Sequence, residues 1–304
     1  MLPVVDMHAG QVNITAPVAR ALVDEQFPRW RCLPITPICG SGTVSAIFRL
    51  GDRLALRFPL SGDDPVQLAR QLEIESVAAE KLIDSTSFLT PRPVAIGQPG
   101  AGYRLPWSVQ TWLPGVVATD RDPADSDSFA RDLAEFIGDV RAIPTDEQIF
   151  TGTGRGGALS GHTAWMSTCF ERSEKLLDVP RLRDMWDRMC GLPRGAEVDV
   201  MSHGDLIPGN VLVSVDRRLV GVLDVGGLAP ADPALDLVGA WHLLNTGPRE
   251  VFRDILAPSE PQWQRGQAWA FQQAMGLVWY YAQSNPAMSR IGRRTLDRLL
   301  ADAG

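Results

Sequence analysis

Cysteine is scarce: four residues, Cys32, Cys39, Cys169 and Cys190, in a chain of 304. None forms a C-x-x-C pair or another metal-ligand spacing, which argues against a disulfide framework and against a cysteine zinc site. Long apolar runs are missing as well. No stretch approaches eighteen apolar residues, so no membrane span is read. The first residues carry no basic segment followed by an unbroken apolar one, so no secretory leader is read there either. The expected location is cytoplasmic, with reduced thiols. Positive charge is in deficit: 29 Lys and Arg against 36 Asp and Glu leave a net charge of −7. No basic stripe of the kind that tracks a phosphate backbone is visible, so no nucleic-acid partner is expected. The four histidines show no ligand spacing. Finally, the chain has no G-x-x-x-x-G-K-[ST], which excludes a P-loop.

What is present is the composition of an ordinary globular protein, 45% hydrophobic and 21% charged. The length allows one large or two modest domains. A helix is expected over residues 16–27 and an extended stretch over 33–38. Residues 45–50 and 53–58 alternate around the Gly51-Asp52 turn signal and predict a β-hairpin. Residues 66–83 predict a helix, with Leu68, Leu72, Val77, Ala79 and Leu82 on one stripe. Short strands are expected at 94–96 and 107–113. Beyond Pro114-Gly115 the character becomes helical, at 124–143, 163–177, 180–190, 232–245, 248–257, 261–284 and 289–303. Two short strands interrupt it, at 210–214 and 219–223. The fold class is therefore α+β, with a small antiparallel-sheet lobe in residues 1–113 and a larger helical lobe in 114–304.

The chemistry is concentrated in His203-Gly204-Asp205-Leu206-Ile207-Pro208-Gly209-Asn210 and Leu223-Asp224-Val225-Gly226. Asp205 lies in a Pro/Gly loop, where a carboxylate can take a hydrogen bond from a substrate hydroxyl. In isolation a turn-capping Asp would look the same. Asn210 and Asp224 make the difference. An amide oxygen and a strand-end carboxylate are the hard donors with which Mg²⁺ is held beside substrate phosphates. His203 reads as a structural residue holding this loop through backbone hydrogen bonds. Arg57 lies on a face of the second hairpin strand and could reach nucleotide phosphates, with Glu73, Glu75 and Glu80 of the next helix as possible partners; an edge-strand charge is the plain alternative. Cys39-Gly40-Ser41-Gly42-Thr43-Val44-Ser45 joins two strands, and its amides and hydroxyls could cover phosphates; a simple turn is again the plain alternative. Gly152-Thr153-Gly154-Arg155-Gly156-Gly157 looks like a glycine fingerprint, but no strand precedes it. It reads as a flexible loop that could lie at a substrate entrance. The aromatic residues Trp263, Trp269, Phe271, Trp279, Tyr280 and Tyr281 fall at helical spacing and read mainly as core, with a few rings free to line an acceptor pocket.

Together with Asp232-Pro233-Ala234-Leu235-Asp236-Leu237, the residues at 203–210 and 223–226 resemble the aminoglycoside phosphotransferase family, the small-molecule branch of the protein-kinase-like fold. The resemblance covers nearly the whole chain. It implies a bilobal fold and an ATP- or GTP-dependent, Mg²⁺-dependent phosphotransferase acting on a hydroxyl of a small molecule. An aminoglycoside-like or other antibiotic is the family's familiar acceptor. A cellular metabolite of the choline, homoserine or sugar type is the alternative, and a nucleotide-binding pseudokinase a further one. Asp205 would be the catalytic residue, with Asn210 and Asp224 as metal ligands. Gly40, Ser41, Gly42, Thr43 and Ser45 would form the nucleotide-covering loop. Arg57 and Glu75 would form an ion pair, and Gln110 to Trp112 the hinge meeting the nucleobase. Asp232 and Asp236 would brace the catalytic loop by capping the next helix. Three positions depart from the family pattern: Arg57 replaces the usual lysine, Val225 the usual aromatic residue, and Ile207 the common histidine of the catalytic loop.

Overall fold

A computed structural model describes residues 11–38 and 44–302. The first lobe opens with helix α1 (Ala16–Gln26) and strand β1 (Ile35–Ile38). The hairpin follows as β2 (Ser45–Leu50) and β3 (Leu54–Pro59), turning at Gly51 with φ +57°. Next come α2 (Pro65–Ile83), β4 (Pro93–Gly97) and β5 (Trp107–Thr111). The five strands form one antiparallel sheet in the order β1-β2-β3-β5-β4, with Arg57 opposite Ile47 on one side and Ser108 on the other. Phe48, Leu56, Phe58, Trp107 and Val109 from the sheet pack against Ala19, Leu22 and Val23 of α1. Phe58 stacks on Trp107 at 4.8 Å, and the Tyr103 hydroxyl donates to the Pro59 carbonyl at 2.6 Å.

Helix α2 starts cleanly because the Asp64 carboxylate accepts from the N–H groups of Val66 and Gln67, with Pro65 opening its first turn. Its inward stripe is Leu72, Ala78, Ala79 and Leu82. Val77, expected inside, is 56% exposed. Five residues past Leu72 the helix has turned about 140° off the Leu72–Ala79 line, and Ala78 takes the inward place. Ala78, Ala79 and Leu82 belong to the core of the larger lobe, and Leu89 beyond them bonds to the backbone around Gly221. The α2 segment thus joins the two lobes before the chain itself crosses.

The crossing leads into β6 (Val116–Val117), α3 (Asp127–Ala142), α4 (Thr163–Ser173) and α5 (Val179–Met189). Strands β7 (Val200–Ser202), β8 (Val211–Val213), β9 (Leu219–Val222) and β10 (Ala229–Ala231) surround the motif, followed by α6 (Gly239–Leu243), α7 (Thr246–Leu256), α8 (Glu260–Tyr280) and α9 (Pro286–Asp302). Strands β6, β8 and β9 form one small sheet, and β7 and β10 pair separately. The expected face of α3 is buried throughout: Phe129, Leu133, Phe136, Ile137 and Val140. The helix expected over 232–245 is instead a 3₁₀ turn at Leu235–Val238 running into the short α6. Among the described residues, no helix is long and apolar enough to cross a membrane.

Candidate active site

Asp205 sits between β7 and a 3₁₀ turn at Pro208–Asn210, in backbone that belongs to no regular element. Five hydrogen bonds hold the loop in place. The N–H groups of His203 and Gly204 donate to the two carboxylate oxygens of Asp236, at 2.8 and 2.7 Å. The His203 ring bridges onward: Nδ1 accepts from the Asp205 N–H at 3.2 Å, so Nε2 carries the proton and donates to the Leu223 carbonyl at 2.9 Å. The Leu223 N–H in turn donates to the Asn210 carbonyl at 2.7 Å. One histidine and one backbone bond therefore set the loop carrying Asp205 and Asn210 beside the strand end carrying Asp224. The bracing differs from helix capping. Asp236 acts directly on the loop, while buried Asp232 accepts from the Ala234 N–H, Arg265 and Trp269 Nε1. Neither side chain caps α6.

Asp224 itself has φ +58° and ψ +41°. This left-handed conformation is unusual for a residue with a side chain, and strain of this kind collects at functional sites. Arg57 Nη2 donates to its Oδ1 at 2.6 Å, from the other side of the cleft. Burial alone would raise the Asp224 pKa, but the charge and hydrogen bond of Arg57, helped by His203, hold it below the usual carboxylate range.

The expected partnership of Arg57 is thereby corrected. Among the described residues its ion pair is with Asp224, not with Glu75. Glu75 accepts from Gln71 on its own helix and packs over the turn after Asp224. A Cβ at Gly226 would lie 2.8 Å from that of Glu75, so glycine there permits the close approach of α2. Arg57, Glu75, Ser108, Gln110, Val225 and Gly226 line one cleft between the lobes. Gln110 lies within the sheet, opposite both Ala55 and Pro93. The N–H groups of Thr111 and Trp112 donate to the carbonyls of Arg92 and Arg53. They are spent on the sheet and cannot meet a base; Leu113 is the next residue whose N–H takes no backbone partner among the described residues. Gly40, Ser41, Gly42 and Thr43 lie outside the described residues. Ser45 begins β2, opposite Pro59.

Two residues on Asp205 escape sequence reasoning. Arg155 Nη2 donates to Asp205 Oδ1 at 3.0 Å, and Gln273 Nε2 donates to the same oxygen. The loop of residues 152–157 therefore contributes a cation to the site rather than only surrounding its entrance. An arginine set among four loop glycines and a threonine was the available signal. Gln273 showed itself only as one of two adjacent amides, Gln272 and Gln273, in an aromatic helix. Most of that helix is core as expected: Trp263, Trp269 and Phe271 are buried, while Tyr280 is 39% exposed.

The remaining Asp205 oxygen accepts from Asn210 Nδ2 at 2.9 Å, as does the Asp205 carbonyl, also at 2.9 Å. Both amide protons are used, which leaves the side-chain oxygen Oδ1 of Asn210 for a cation. That oxygen and the Asp224 carboxylate are a hard donor set of the kind Mg²⁺ accepts when phosphates complete its shell. The Arg57 guanidinium beside Asp224 marks the same place as one that attracts positive charge. The donor chemistry fits the metal.

The family model of the phosphotransferase enzyme family matches residues 37–269. Among solved structures, the GDP complex of wild-type aminoglycoside 2'-phosphotransferase-IIIa superposes with a TM-score of 0.69 at 17% identity, covering 95% of this chain and all of that one. The macrolide 2'-phosphotransferase MphH from Brachybacterium faecium gives 0.61 at 19% identity, over 91% of this chain and 98% of its own. The streptomycin-ATP-APH(2")-IIa ternary complex gives 0.56 at 16% identity, over 86% and 90%. No curated protein matches the chain. At these identities the solved structures establish the fold, a kinase-like small sheet lobe on a larger helical lobe. The family match spans most of the chain, both lobes and the whole of the motif at 203–226, and the chain belongs to the phosphotransferase enzyme family.

Proposed function

We propose that this protein transfers the γ-phosphate of ATP or GTP, with Mg²⁺, to a hydroxyl of a small molecule such as an aminoglycoside or other antibiotic. The observation that carries the reading is the joining of Asp205, Asn210 and Asp224 by His203 and the Leu223–Asn210 bond. That arrangement supports a division of labour in which one carboxylate serves the acceptor and an amide–carboxylate pair the phosphates. Names of similar structures support the nucleotide and the acceptor type: they include GDP, ATP, ADP, kanamycin and gentamicin complexes.

In this reading the sheet lobe holds the nucleotide, with its base at the edge near Leu113 and its phosphates under residues 40–45. Arg57 exchanges Asp224 for a phosphate oxygen, as a bidentate fork rather than the point charge of a lysine. Asn210 and Asp224 hold Mg²⁺, which neutralises charge on the phosphates when bound. Asp205 accepts the hydrogen bond of the acceptor hydroxyl, aims its oxygen for in-line attack and receives its proton. The helical lobe selects the acceptor. Arg155 beside Asp205 gives specific support to a second acceptor class, a metabolite alcohol without a dense cluster of ammonium groups.

The test is incubation with Mg-ATP or Mg-GTP and a panel of acceptors: kanamycin, streptomycin, a macrolide, choline, homoserine and simple sugars. Gain of one phosphate is read by mass. Asp205→Ala is expected to lower transfer about 10²–10⁴-fold while nucleotide still binds. Transfer at the wild-type rate in that variant would sink the mechanism.

A further inference from the structure

Phosphoryl transfer spreads negative charge over the equatorial oxygens of the moving group, and catalysis depends on cations placed around it. The catalytic loop has none to offer. Between Asp205 and Asn210 lie only Leu206, Ile207, Pro208 and Gly209. Arg57 stands on the far side, at Asp224. The cation found at Asp205 comes from another part of the chain altogether, the glycine-rich loop.

Arg155 Nη2 is 3.0 Å from Asp205 Oδ1 and 3.3 Å from the Gly204 carbonyl. Its Nε is buried and has no partner among the described residues, so a donor remains unspent. The backbone after it is pinned. The Gly156 carbonyl accepts from the Asp232 N–H at 2.9 Å, and the Gly157 carbonyl from Arg265 at 3.4 Å. Gly156 has φ +116°, and a Cβ there would lie 2.8 Å from that of Ala231. Before Arg155 there is open space: a Cβ at Gly154 would meet nothing within 4 Å. The guanidinium is thus delivered to Asp205 from a fixed anchor, with one of its donors unspent.

We infer that Arg155 is a catalytic residue that holds an equatorial oxygen of the phosphoryl group in transit, and that its pairing with Asp205 is the resting position of that cation. The inference rests on the phosphotransfer reading above. An acceptor oxygen hydrogen-bonded to Asp205 lies about 3 Å from it, and about 3–3.5 Å from the phosphorus it attacks. A guanidinium already at hydrogen-bond distance from the same carboxylate reaches that phosphoryl group with a small displacement. The acceptor oxygen–phosphorus bond forms as the bond from the γ-phosphorus to the β-bridging oxygen breaks. The hydroxyl proton passes to Asp205, and the nucleoside diphosphate leaves. Arg155 remains protonated throughout. With water as acceptor the same balance yields inorganic phosphate.

Water therefore permits a test without knowledge of the acceptor. Hydrolysis of Mg-ATP and Mg-GTP, affinity for a fluorescent nucleotide analogue and melting temperature are measured for wild type, Arg155→Gln, Arg155→Lys and Arg155→Ala. Arg155→Gln is expected to lower turnover about 10²–10³-fold with nucleotide affinity unchanged. Arg155→Lys recovers part of it, and added guanidinium raises turnover of Arg155→Ala. Wild-type turnover in Arg155→Gln overturns the inference and leaves the phosphotransfer reading standing. Equal losses in all three variants, with lowered melting temperature and no response to guanidinium, show a structural residue and overturn it too. A wild-type protein that binds nucleotide yet neither hydrolyses it nor phosphorylates the acceptor panel refutes the phosphotransfer reading, and the inference with it.

Discussion

Two carboxylates of the motif are each met by a guanidinium, and they are held in opposite ways. Asp224 is met by Arg57, 167 residues earlier and on the other lobe. Asp205 is met by Arg155, 50 residues earlier and on its own lobe. The Asp224 contact is a single cross-cleft pair, partly open to solvent. The Asp205 contact is the end of a chain running into the core. Gln273 must offer its amide N–H to Asp205, so its oxygen faces His242. His242 must then carry its proton on Nε2, 3.0 Å away, and its bare Nδ1 accepts from the Thr295 hydroxyl at 2.9 Å. One side is free to rearrange when charge arrives, while the other is preorganised from behind. The proposed reaction calls for both: a side that admits a highly charged nucleotide and a side that orients a hydroxyl.

The comparison breaks if the Asp205 side proves no more tied to the core than the Asp224 side, and the sharpest probe is acid. His242 is fully buried, and burial, with repulsion from Arg155, Arg298 and Arg294, lowers its pKa to about 3 despite the Gln273 hydrogen bond. The unfolded chain takes up that proton near pH 6.5, the folded protein only near 3. This contribution to stability is thus complete above pH 6.5 and is lost as pH falls toward 3. The loss is on the order of 5 kcal/mol. Urea unfolding at stepped pH is expected to show a flatter acid dependence in His242→Gln than in wild type.

Removing the brace comes next in size. Asp236→Ala strands two loop N–H groups, at about 1–3 kcal/mol each where they stay buried. Melting temperature and transfer should both fall, while nucleotide binding by the sheet lobe is largely retained. The smallest effect on stability belongs to the cross-cleft pair. Arg57→Ala is expected to cost at most about 1 kcal/mol in denaturant unfolding. It should nonetheless weaken nucleotide affinity about tenfold, through the loss of a phosphate contact worth about 1.4 kcal/mol. A larger loss of stability than in Asp236→Ala would reverse the comparison.

Much of the small lobe was legible because its signals are local. Gly51-Asp52 between alternating runs specifies a hairpin, and the apolar period over residues 66–83 specifies a helix. The α3 stripe was legible for the same reason, since one helical period decides it. The strands β6, β7 and β10 were not, because two or three residues are too short to show alternation and exist only where a partner strand is brought alongside. Val77 was misplaced because a stripe drawn from apolar character alone admits residues off the buried line.

At the candidate site the same division holds. Asp205, Asn210 and Asp224 are marked by their spacing in a short stretch of chain, so the sequence by itself determined the class of chemistry and the carboxylate-and-amide set to look for. Only tertiary structure decided which cation meets which carboxylate. Arg57 turned from Glu75 to Asp224, and Arg155 and Gln273 came to Asp205 from 50 and 68 residues away. The reason is physical. Hydrogen-bond periodicity and turn chemistry act over a few residues and are written in local order. The pairing of charges across a cleft depends on where packed elements finally place them, and neighbouring residue types do not encode that position.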